Sequence, residues 1–219
     1  MGSILGGGYM HMAGIDKTVL YVGGSPLTYI IGTTSLAGLY LRGIDLQFFR
    51  RTDARLALSL LQIVIDEIET ATSSEPDPVH GSYKKDVLML AAQGDSVVTE
   101  TAAEIMSRNL NVTLMTPSVD KVPVLPSGTS EEIKGSSFAS KRGTRALFLA
   151  AYEKTAARLE EDDRGPPQSQ QGNNVHGCFP QIDISSGIVA SFLSDNLQNN
   201  ADCGNTADTG CFLSDECGD

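Results

Sequence analysis

Residues 86–92 read Asp-Val-Leu-Met-Leu-Ala-Ala, an unbroken apolar run after one carboxylate. A strand with one wet face alternates apolar and polar residues. A run without alternation has to be buried on both sides, as a strand is inside a parallel sheet covered by helices. Thr18–Val22 (Thr-Val-Leu-Tyr-Val), closed by Gly23-Gly24, has the same character, and Val112–Met115 and Ala146–Tyr152 are predicted as two further strands. Between these runs the apolar spacing turns helical. Gly6–Gly14 is expected as a short helix in close contact with a neighbour, because glycine permits close approach. Thr101–Leu110 follows Thr99-Glu100 as a helix, and Ile184–Leu197 is a last one. Strands alternating with helices across short loops predict an α/β fold with a parallel sheet flanked by helices.

Residues 25–83 interrupt that alternation. Leu36–Leu41, Leu46–Phe49 and Leu56–Ile68 carry apolar residues at helical spacing, and Ala54–Ile68 is the clearest helix, with Asp53 as its expected N-cap. This block reads as a helical, lid-like insertion. Ser73–Gly81, Ser118–Ser140 (with Pro123, Pro126 and Gly128) and Glu160–Asn174 read as loops. The organisation expected is one domain over residues 1–199 and a cysteine-containing tail over 200–219.

The net charge of −11 argues against nucleic acid as a partner, since binding it needs a basic stripe, and against an anionic membrane surface. No apolar run reaches the roughly 18 residues that span a bilayer; the nearest, Leu56–Ile65, is broken by Ser59 and Gln62. The four cysteines, Cys178, Cys203, Cys211 and Cys217, crowd into the end of the chain without the paired Cys-x-x-Cys steps of a zinc ribbon. An even, clustered set in an Asn/Asp/Gly-rich tail reads as two disulfides, with three connectivities open.

Ligands of parallel α/β sheets sit at the carboxyl ends of the strands. Asp95 falls there, directly after the 86–92 strand in Gln-Gly-Asp-Ser-Val-Val. The plainer reading is a turn aspartate or a helix cap. His176, in Asn-Asn-Val-His-Gly-Cys-Phe, lies between the last expected strand and the last helix, and its plainer reading is an exposed loop histidine. His11 falls in the Gly-rich helix and His80 in a polar loop, and no metal spacing links them to the cysteines. Gly6-Gly7-Gly8 lacks the Gly-Lys-Ser/Thr of a phosphate loop, and Gly2–Gly6 lacks the preceding strand of a dinucleotide fingerprint, so no cofactor is expected.

Taken together, Gly2-Ser3-Ile4-Leu5-Gly6-Gly7 with Tyr9-Met10, Val19–Gly24, Arg42-Gly43-Ile44-Asp45 with Phe48-Phe49, Gly94-Asp95 and Asn173-Asn174-Val175-His176 resemble the C-terminal portion of an α/β-hydrolase of the bacterial serine esterase or lipase type. In that fold the catalytic residues follow the chain order serine, acid, histidine. The resemblance implies Asp95 as the orienting acid and His176 as general base and acid. No Gly-x-Ser-x-Gly elbow occurs in the 219 residues. The register implied makes Gly2 the second glycine of the elbow, puts the serine one residue before Met1, and makes Met1 the residue whose N–H serves the oxyanion hole. Ser3 is then a neighbour of the nucleophile. The resemblance further implies an ester or lipid-like small-molecule substrate, a lid over residues 25–83, and a parent enzyme that is exported. A chain starting at the elbow would be inactive and would expose a strand edge prone to aggregation. The alternatives are a non-catalytic binding or structural protein on the same scaffold, or a truncated gene product. What separates them first is whether Asp95 and His176 come within hydrogen-bond reach.

Overall fold

A computed structural model of the chain describes residues 2–12, 15–34, 36, 38–48, 50–69, 85–118, 122–140, 143–152, 175–198 and 212–213. Five parallel strands form its centre: β1 (Lys17–Tyr21), β2 (Asp86–Ala92), β3 (Thr113–Met115), β4 (Ser127–Gly128) and β5 (Arg145–Tyr152), in the order β1-β2-β5-β3-β4. A two-residue strand, β6 (Phe212–Leu213), pairs in parallel with the end of β5. β5 is therefore inserted between β2 and β3, so the strand carrying the chain toward His176 lies beside the strand that ends at Asp95.

The apolar runs do what their lack of alternation requires. Leu88, Leu90 and Ala92 of β2, with Ala146, Phe148 and Ala150 of β5, enter one core with Ile188 and Phe192 of a C-terminal helix. Val87, Met89 and Ala91, with Leu147 and Leu149, enter a second core on the opposite face, completed by Met10, Ala103 and Met106. Helices α1 (Gly2–Met12) and α5 (Glu100–Asn109) supply the second core; α7 (Val175–Cys178), a 3-10 turn (Phe179–Gln181) and α8 (Asp183–Leu193) supply the first. Burying the 86–92 run at about 1.5–3 kcal/mol per large side chain makes β2 a principal source of stability.

Between β1 and β2 the described residues form three helices, α2 (Leu27–Thr33), α3 (Gly38–Gln47) and α4 (Arg51–Ile65), and residues 70–84 of the expected insertion lie outside the described residues. Two expectations are corrected. Asp53 is not the N-cap of α4. Arg50 occupies that position and Asp53 lies in the first turn, where a negative charge still favours the helix dipole. The segment 118–140 is not all loop: it contains β4 and helix α6 (Ser130–Ser140). Thr129 and Glu132 exchange bonds there, the Glu132 N–H donating to Thr129 Oγ1 (3.3 Å) and the Thr129 N–H to Glu132 Oε2 (2.7 Å), which is a capping box. The expected loops at 73–81 and 160–174, His80, and all of the 200–219 tail except Phe212–Leu213 lie outside the described residues. No described helix is long and apolar enough to cross a membrane.

The turn after β1 sets how closely the insertion and α5 approach. Val22 has a positive φ of 43°, and a Cβ on Gly24 would stand 2.6 Å from Val98 Cγ1 and 3.1 Å from the backbone carbon of Ala102. Gly24→Ala is expected to cost about 1–3 kcal/mol by overpacking and to lower the urea midpoint. Gly23→Ala is expected to cost less, because the nearest atom, at 3.0 Å, is the flexible sulfur of Met106. Equal midpoints for Gly24→Ala and the unaltered chain would remove the argument.

Candidate active site

Asp95 stands just past the carboxyl end of β2. Gln93 pairs once more with β5, its N–H donating to Ala150 O at 2.8 Å, and Gly94 at φ 78° then turns the chain. That left-handed conformation is the one glycine adopts without cost. The Asp95 carboxylate is fixed at both oxygens. Oδ1 accepts the N–H groups of Val97 (2.7 Å) and Val98 (3.0 Å), and Oδ2 accepts from His176 Nδ1 at 2.8 Å. Its side chain is 1% exposed, so these donors replace the water it has lost. Asp95 is thus a turn aspartate, as its plainer reading had it, and a partner of His176 as well. The cap of α5 falls instead to Thr99, whose Oγ1 accepts the Ala102 N–H at 3.4 Å.

His176 is carried on the four-residue helix α7, pinned by its neighbours. Val175 is 2% exposed, and Phe179 is fully buried and stacked on Phe148 of β5 with ring centroids 6.3 Å apart. Gln181 Nε2 donates to Gly177 O at 2.8 Å and closes the turn. The imidazole itself is about one-third exposed. A carboxylate has no proton to give, so in the neutral imidazole Nδ1 carries the hydrogen and Nε2 presents its lone pair. A histidine held in this tautomer can take a proton from a hydroxyl and return it to a leaving group.

The start of α1 lies at the same edge of the sheet. Ser3 Oγ donates to the carbonyl of Tyr21, the last residue of β1, and Ser3 Cβ is 3.2 Å from where a Gly23 side chain would begin. Met1 lies outside the described residues, and nothing is described of the His11 side chain. Reading by residue type passed over the two backbone donors at Val97 and Val98. The available signal was the Asp-Ser-Val-Val-Thr order, an aspartate turn running into a capped helix.

These features define a class, a parallel α/β protein with a hydrogen-bonded acid–histidine pair at the carboxyl edge of its sheet. No family model, curated protein or solved structure matches the chain.

Proposed function

We propose that the chain is the acid-and-histidine part of a serine hydrolase of the α/β-hydrolase type, cleaving carboxylic esters or related acyl bonds. The observation that carries this reading is the 2.8 Å bond from His176 Nδ1 to Asp95 Oδ2, made between residues far apart in sequence at the edge where such sheets bind ligands. Asp95 orients the ring and stabilises its positive charge; His176 Nε2 accepts the serine proton as Oγ attacks the acyl carbon, then protonates the departing alkoxide. Water repeats the sequence on the acyl-enzyme and releases the acid. The serine precedes Met1 in this reading, and the Met1 N–H donates to the oxyanion. The start of α1 at the carboxyl end of β1 supports that register. Helix α4 serves as the lid, and its outward Leu60 and Val64, 56% and 71% exposed, are free to meet an acyl chain. The four cysteines fit an exported parent enzyme.

The test is to read the coding sequence upstream of the Met1 codon and assay the extended chain on p-nitrophenyl esters of stepped acyl length. A Gly-x-Ser extension is expected, with turnover and fluorophosphonate labelling of that serine, and with turnover lost in His176→Ala. A stop codon directly before Met1, or turnover that His176→Ala leaves unchanged, would sink the reading. A non-catalytic binding protein on this scaffold would then stand in its place.

A further inference from the structure

Strand β1 has the sequence of an interior strand and the position of an edge strand. Among the described residues it pairs with β2 alone. Val87 to Ala92 of β2 are all buried, whereas Val19 and Tyr21 of β1 keep part of their surface open. Sheet edges are ordinarily blunted by charge, proline or a bulge. The one charged residue of β1 does not guard this edge: Lys17 Nζ is drawn to the end of α8, donating to Phe192 O (3.1 Å) and to Asp195 Oδ1 (2.5 Å). The ladder shows which backbone groups face outward. Asp86 N–H donates to Asp16 O (2.7 Å) and Val22 N–H donates to Leu90 O (2.8 Å), so the even-numbered residues of this stretch pair with β2. Successive residues of a strand turn their N–H and C=O to opposite sides, which aims those of Lys17, Val19 and Tyr21 at the outer edge. The Tyr21 carbonyl is met there by the hydroxyl of Ser3, at the start of α1, while no described residue bonds the outward groups of Val19.

We propose that the outer edge of β1 is the seat of a further parallel strand, supplied by the polypeptide that leads into α1. The hand of the crossovers selects both the seat and its occupant. From β2 the chain passes through α5 to β3, travelling away from β1 with its helix on the face of the second core. Helix α1 lies on that same face, through Met10, and leads into β1. A strand outside β1 that feeds α1 travels in the same direction on the same face, so its crossover has the same hand as β2-α5-β3. A strand feeding α1 from beyond β4 travels the opposite way on that face and has the reverse hand, which parallel crossovers almost never adopt. The contact of Ser3 with Tyr21 O sets the register. The incoming strand pairs with Lys17 and Val19 and ends level with Tyr21, where α1 begins and Ser3 has already taken the last outward carbonyl. The seat therefore takes an extended apolar segment held by its backbone, and it does so whether or not that segment carries a serine.

The test compares amide exchange, resolved by residue, in the 219-residue chain and in the whole encoded protein with whatever precedes Met1, both held monomeric as checked by sedimentation. In the 219-residue chain the Val19 amide is expected to exchange more than about tenfold faster than those of Thr18 and Leu20, which bond to β2. In the whole protein Val19 is expected to slow into their range. Nuclear Overhauser contacts from Lys17 and Val19 to residues ahead of Met1, in a parallel pattern, are the second expected result and need no variant to fold. The outcomes separate this seat from the hydrolase reading. Protection of Val19 by a segment without Gly-x-Ser keeps the seat and removes the hydrolase. Turnover by a protein whose Val19 amide stays fast keeps the hydrolase and overturns the seat. Val19 already as slow as Leu20 in the monomeric 219-residue chain, Overhauser contacts to a second copy in place of the preceding segment, or an encoded chain that begins at Met1 would each overturn it too.

Discussion

In the serine hydrolase proposed above, Asp95→Asn is expected to lower kcat by roughly 10⁴ while leaving the fold intact. The size follows from which atom takes which place. Oδ1 of Asp95 accepts two backbone N–H groups, from Val97 and Val98, and an asparagine can satisfy both only with its amide oxygen. Its NH₂ must then face His176 Nδ1, which is 2.8 Å from Oδ2 in the unaltered chain. A donor facing Nδ1 makes that nitrogen the acceptor and moves the proton to Nε2, which can no longer accept one from a serine. The same exchange of tautomers is readable in the 219-residue chain without any turnover, from the nitrogen chemical shifts of His176. Activity within about threefold of the unaltered enzyme, or unchanged nitrogen shifts, would show that the bond does not set the tautomer.

The largest structural effect is expected at Phe148. Its ring is wholly buried in the centre of β5, in register with Leu90 of β2, and stacks on Phe179. Phe148→Ala removes that ring from a core that collapses only partly around the gap, at a cost of about 3–5 kcal/mol. For a chain of this size that lowers Tm by roughly 10 °C. The loss should also reach His176, because Phe179 is what seats the short helix bearing it, so exchange at Val175–Cys178 should quicken more than exchange in α5. Leu60→Ala, at a position 56% exposed, is the control and should change stability by less than about 0.5 kcal/mol. A Phe148→Ala shift no greater than that of Leu60→Ala would mean that the first core does not carry the load assigned to it.

The four strands read from the sequence lie where their apolar runs put them, within a residue or two at each end, because a run such as 86–92 has no polar face to offer water. Helix α6 escaped that reasoning. Its apolar residues have no helical period, and its evidence was the Thr-Ser-Glu-Glu box at its start. The error at Asp53 has a similar origin: residue type suggested a cap, but the backbone had begun its first turn earlier, at Arg51. β4, two residues long, has too little sequence for any pattern to register.

Local chemistry was enough to specify the parallel sheet, its helical cover, the helical insertion, and the placement of Asp95 after a strand and His176 before the last helix. Each follows from patterns within a few residues of one another, where burial and backbone preference act directly. The order β1-β2-β5-β3-β4, the two amides under Asp95, the stacking that seats His176 and the bond joining these two residues came from packing alone. They unite segments up to 81 positions apart, and what fixes them is the shared burial of surfaces that no local pattern records.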